Sequence, residues 1–131
     1  MGINWLAAIV AGLAGFGVGG LWYSPLLFAK PWAKMMSFDP ASPGGYPMPL
    51  AMGGAAALSV VAAIVFAIFL GPHPSFGFAV GAGLAAGIGW IGTSILTNGI
   101  FQRLPLELML INIGNHVAQF LVFGLILGLW R

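Results

Sequence analysis

Four stretches of the sequence, residues 3–23, 50–70, 76–97 and 106–130, constrain the fold more than anything else in it. Each runs about 20 mainly apolar residues, the length a helix needs to cross the hydrocarbon core of a bilayer. The surface budget agrees, because the 131 residues include only four basic and two acidic side chains. Soluble domains are about a quarter charged, against 5% here, and a water-facing fold of this size could not be covered. The expected fold class is therefore all-α: an integral membrane four-helix bundle, a single domain over residues 1–131.

The first stretch is expected to be a retained helix rather than a cleaved signal. It lacks a basic leading segment, and the pair Trp22-Tyr23 marks a membrane interface. The connections differ in kind. GPHPS (71–75) and NGIFQRLP (98–105) are tight and predict that helices two and three, and three and four, are antiparallel neighbours. Residues 24–49 are longer. Within them Phe28, Trp32, Met35 and Met36 share one side of a helix and Lys30 and Lys34 the other, with Pro31 in the first turn. That pattern predicts a short amphipathic helix in the headgroup layer, with Trp22, Tyr23, Lys30, Trp32 and Lys34 as interface residues. The run FDPASPGGYPMP that follows reads as irregular, with Asp39 a turn residue. Lys30, Lys34 and Arg103 fall on one side of the membrane and Arg131 on the other. The positive-inside rule places connections one and three in the cytoplasm and both termini outside.

Helices in lipid are held by close approach of small residues rather than by hydrophobicity. Ala8, Gly12, Gly15 and Gly19 form such a face on helix one, and Ala51, Ala55, Ser59 and Ala62 one on helix two. On helix three Gly77, Gly81, Ala85, Gly89 and Gly92 form a third. Opposite them Trp90, Ser94, Thr97 and Phe101, flanked by Thr93 and Asn98, make a polar-aromatic strip. Hydroxyls on such a strip can also bond back to their own helix.

Helix four carries the most unusual feature. At about 100° per residue, Asn112, Asn115, His116 and Gln119 align in one arc near mid-span. Such a stripe must face protein, trapped water or a ligand. Two readings follow: interhelical bonds to the Ser94/Thr97/Asn98 side of helix three and the Asn4 end of helix one, or a wet cavity in which His116 handles protons or ligand. Glu107, after RLP, falls in the first turn of helix four, where a carboxylate complements the helix dipole. His73, in the tight second connection, reads as a solvated loop group.

Catalytic chemistry is poorly served. There is no cysteine, no cluster of metal ligands around His116, no Ser-His-acid arrangement and no phosphate loop. The sequence predicts no catalytic residue, no metal, no cofactor and no nucleic-acid partner.

The amino-terminal run NWLAAIVAGLAGFGVGGLWYSPLLFAKPWAKMM and the carboxy-terminal GNHVAQFLVFGLILGLW resemble a family of small bacterial four-helix membrane proteins described as a domain of unknown function, DUF1761. LWYSPLLF is the most specific element. The resemblance implies four spans in the bacterial cytoplasmic membrane and brings no activity with it. The expected function is an accessory or structural subunit, packing by glycine-rich faces into a homo-oligomer or a larger membrane complex. The alternative is an oligomeric channel or transporter for a small neutral or anionic solute, lined by the helix-four stripe.

Overall fold

The structure, a computed structural model, describes residues 2–24, 27–36 and 47–130. The irregular run expected over 38–49 lies outside the described residues up to 46, with Asp39, and its end is helical instead, because α3 begins at Met48 with a proline in its first turn. Arg131 and the side chains of Met35 and Met36 also lie outside the described residues. Every described element is a helix: α1 (Trp5–Trp22), α2 (Ala29–Met36), α3 (Met48–Leu70), α4 (Phe76–Ala85), a π-helical segment (Ala86–Gly92), α5 (Thr93–Gln102) and α6 (Leu106–Leu129). Among the described residues four helical spans are long and apolar enough to cross a membrane: Trp5–Trp22, Pro49–Leu70, Phe76–Gln102 and Leu106–Leu129. The protein is a multi-pass helical membrane protein.

Local chemistry sets the helix ends. The Asn4 side chain caps α1 by accepting from the Ala7 amide at 3.0 Å, and Ser75 caps α4 by accepting from Phe78 at 3.2 Å. Gly71, at φ 80°, ends α3 in a conformation that costs a glycine little. The third span is longer than the sequence predicts. Asn98-Gly99 reads as a turn signal, yet the helix runs on to Gln102 and turns only over residues 103–105. Gly99 is buried on Met109, so it serves helix contact rather than a turn. Arg103, in the left-handed region at φ 59°, makes the turn instead.

Of the two pairings that the short loops suggest, that of the third and fourth spans is observed and that of α3 with α4 is not. α6 packs along α1 on one side and along α4 and the π-segment on the other, while α3 lies against α1. α3 and α4 scarcely touch although only residues 71–75 join them. The reason is backbone contact. α4 is drawn onto α6, where Gly83 sits on the Phe120 carbonyl and Gly124 on the Ala79 carbonyl. α1 and α3 meet where Gly12 lies on the Val60 backbone. Phe66, Phe120 and Phe123 then fill the centre, with ring centroids 5.4 Å apart for Phe66–Phe120 and 4.9 Å for Phe120–Phe123. Bulk at that point holds α3 off α4, and Phe69 bridges to Trp90 across the gap at 6.1 Å.

The glycine faces need correcting accordingly. Gly12 and Gly15 are buried against α3 and α6, and Gly19 looks onto Asn115. Gly81 and Gly89, expected in a helix contact, have open space where a side chain would stand. The inner face of the third span is Ala79, Gly83, Gly87 and Gly92. On helix two it is Ser59, Ala63, Phe66, Ala67 and Leu70, with Ala51 and Ala55 exposed.

Candidate functional site: the seam of helix four

Three helices meet at the polar stripe. Reading outward from α1, the Gly12 carbonyl accepts from Ser59 Oγ on α3 at 2.7 Å. Ser59 Oγ in turn accepts from Gln119 Nε2 on α6 at 2.9 Å, and Gln119 Oε1 lies 3.1 Å from His116 Nδ1. The directions are forced. A carbonyl cannot donate, so Ser59 spends its only proton on Gly12 and must accept from the Gln119 amide nitrogen. That turns the amide oxygen towards His116, whose Nδ1 is then the donor.

The rest of the stripe binds the far end of α1. Tyr23 donates its hydroxyl to Asn112 Oδ1 at 2.7 Å, and Trp22 Nε1 donates to the Ile111 carbonyl at 2.8 Å. The Trp22 ring lies on Gly114, which leaves room for it. Burial pushes the Tyr23 phenol above its ordinary 10.0, so it remains a hydrogen-bond donor at neutral pH. Asn115 is the exception, because its Oδ1 is buried and finds no partner. It stands 3.5 Å from where a Cβ on Gly19 would be.

The other residues expected at this site are elsewhere. Ser94 and Thr97 are exposed and donate back to Trp90 and Thr93 carbonyls at 2.8 Å each, and Asn98 is exposed on the same outer side. Thr93 likewise bonds to Gly89 at 2.7 Å. Asn4 is occupied as the cap of α1. The π-segment contributes to this outcome. Its wider turn brings Gly87 and Gly92 inward and leaves Trp90 66% exposed. Gly87 then packs on Val117 and the His116 carbonyl, so the third span meets the seam through backbone and not through its hydroxyls. From the sequence, Ser59 is expected to be a packing residue and the Trp22–Tyr23 pair interface residues. Nothing in their spacing marks them as partners of a stripe some 60 to 90 residues away.

Of the remaining interface residues, Lys30 and Lys34 are exposed on α2, and Trp32 packs edge-on against Tyr23 at 5.8 Å. Among the described residues no three His, Cys, Asp or Glu side chains are grouped to hold a metal ion. The family described as a protein of unknown function, DUF1761, matches residues 6–128. The chain belongs to that family. No curated protein and no solved structure matches it. In this DUF1761 chain the matched region takes in the whole seam, from Gly12 to Gln119.

The seam makes a graded prediction. Gln119→Ala should cost about 1–2 kcal/mol, because it breaks the link between α6 and α3. Asn115→Ala should be near neutral, or stabilising by about 1 kcal/mol, since it removes a desolvated acceptor with no partner. Unfolding in mixed micelles, followed by tryptophan fluorescence, measures both. Equal losses for the two amides would contradict the bonding described.

Proposed function

We propose that this DUF1761 chain is a non-catalytic accessory or structural subunit of a bacterial cytoplasmic membrane. It packs into a homo-oligomer or a larger membrane complex through the outer face of its third span. The observation that carries this reading is the double character of that span. Gly83 and Gly87 are used against α6, while Gly77, Gly81, Ala85 and Gly89 stay exposed, and the three glycines among them have no neighbour within van der Waals reach. A smooth outward stripe of this kind lets another transmembrane helix approach closely. The polar stripe of helix four argues the same way, because most of its bonds are satisfied inside one protomer. A channel built round that stripe would need α6 at the axis of an oligomer, and α6 is covered by α1 on one side and α4 on the other.

For orientation, α2 and the 103–105 turn share one end of the bundle, and the amino terminus, the 71–75 loop and Trp130 the other. With Lys30, Lys34 and Arg103 at the first end, the positive-inside rule puts that end in the cytoplasm.

The test is the mass of the particle extracted gently from native membranes, for the wild type and for Gly81→Leu. The expected result is an assembly larger than one chain that falls to a folded monomer on substitution. A monomeric wild type with no stoichiometric partner would end this reading, and so would an assembly that Gly81→Leu leaves intact.

A further inference from the structure

At the end of the bundle that carries α2, a cleft of about 560 Å³ opens between the connector and the first turns of α6. Its size lies in the range of small-molecule sites, about 300–1,000 Å³. One wall is Trp22, Leu27, Phe28 and Pro31, and the other Leu106, Leu110 and Ile111. Among the described residues Glu107 is the one charged residue in the lining.

The aromatic wall is fixed before any ligand arrives. Trp22 is held by its bond to the Ile111 carbonyl, and Phe28 lies against it with centroids 5.0 Å apart. The loop between them is closed by the Phe28 amide donating to the Trp22 carbonyl at 3.1 Å. The basic residues of the connector, Lys30 and Lys34, are exposed on α2 and do not line the cleft. An apolar trough with two aromatic rings and a single carboxylate has a definite electrostatic preference. The carboxylate attracts a cation and repels an anion, and the aromatic and aliphatic residues accept a hydrocarbon body.

We propose that this cleft binds a lipophilic organic monocation, with its charge at Glu107 and its apolar body against Trp22 and Phe28. The site shares Trp22 and Ile111 with the end of the seam but no residue with the outer glycine stripe, so it stands or falls independently of the assembly proposed above.

Two ions of the same shape and opposite charge test it. Tetraphenylphosphonium and tetraphenylborate are titrated against the purified full chain in maltoside micelles, whose headgroups carry no charge, with empty micelles as the blank. The expected result is one saturable phosphonium site per chain and no saturable borate site. Glu107→Gln should weaken phosphonium binding at least tenfold, Phe28→Leu several-fold, and Lys30→Gln should leave it unchanged or tighter. Equal binding of the two ions would reduce the cleft to apolar partition and overturn the proposal. Absence of saturable phosphonium binding would overturn it too, as would Glu107→Gln binding like the wild type. The comparison of the two ions uses the unaltered protein, so the outcome does not depend on any variant folding.

Discussion

Gly12→Leu should unfold or disassemble the protomer, with a loss of about 3 kcal/mol or more, while Gly81→Leu leaves its fold intact. Both glycines belong to small-residue patterns that look alike in the sequence. At Gly12 a Cβ would stand 2.5 Å from the Val60 Cα and 2.9 Å from its amide nitrogen. Backbone cannot step aside as a side-chain tip can, so α1 and α3 must separate. Overpacking alone costs about 1–3 kcal/mol. Separation also breaks the bond from Ser59 to the Gly12 carbonyl, and through Ser59 the link to Gln119. At Gly81 nothing of the protomer lies within 4 Å, so a leucine there meets no other part of its own fold. Unfolding titrations in mixed micelles, with the elution volume of each variant, make the comparison. A well-folded Gly12→Leu protein would mean that α1 and α3 do not approach as described.

Trp22→Ala should cost about 2–4 kcal/mol, below the roughly 3–5 kcal/mol expected for a fully buried aromatic because Trp22 keeps some exposure. Three contacts disappear together: the bond to the Ile111 carbonyl, the ring packed on Gly114, and the partner of Phe28. Trp22→Phe separates them. It keeps most of the ring and loses only the indole bond, so about 0.6–1.7 kcal/mol should be lost. The consequence should also be local. Without Trp22 the aromatic wall loses its support, and amide exchange in α2 should rise before exchange in α3 or α4. Uniform acceleration across all helices would show that α2 is not tied to the bundle through Trp22.

Much of the architecture was legible in the sequence because lipid makes its demand locally. A span must be apolar over a fixed length and must satisfy its own backbone, and both conditions can be read residue by residue. The predicted runs 50–70 and 106–130 therefore fall within a residue of the observed Pro49–Leu70 and Leu106–Leu129. The amphipathic segment of the connector forms α2, Ala29–Met36, with Pro31 in its first turn. The alignment of Asn112, Asn115, His116 and Gln119 was legible for the same reason, since a helix fixes angles between its own residues.

What faces that stripe was not legible. Short loops suggest neighbours, but the Phe66–Phe120–Phe123 cluster props α3 away from α4, and α1 comes in beside α6 instead. Four sets of small residues at helical spacing, 77/81, 83/87, 12/15/19 and 124/128, compete for helix contacts, and spacing alone does not rank them. Their fate depends on where carbonyls of other helices lie. Phe120 and Ala79 offer theirs to Gly83 and Gly124, so the 77/81 pair turns outward. The π-segment adds a shift of phase that no regular period anticipates, and it leaves Ser94, Thr97 and Asn98 outside.

The sequence by itself determined four membrane-spanning helices, an interfacial helix with its lysines exposed, and a polar stripe that must face inward. These follow from the solvation of each segment taken alone. Only the tertiary structure decided that the stripe is completed by Ser59, Tyr23 and the Gly12 carbonyl, and that Gly81 is left bare while Gly83 is covered. Hydrogen bonding and close approach are relations between segments, and they exist only once the helices have chosen their neighbours.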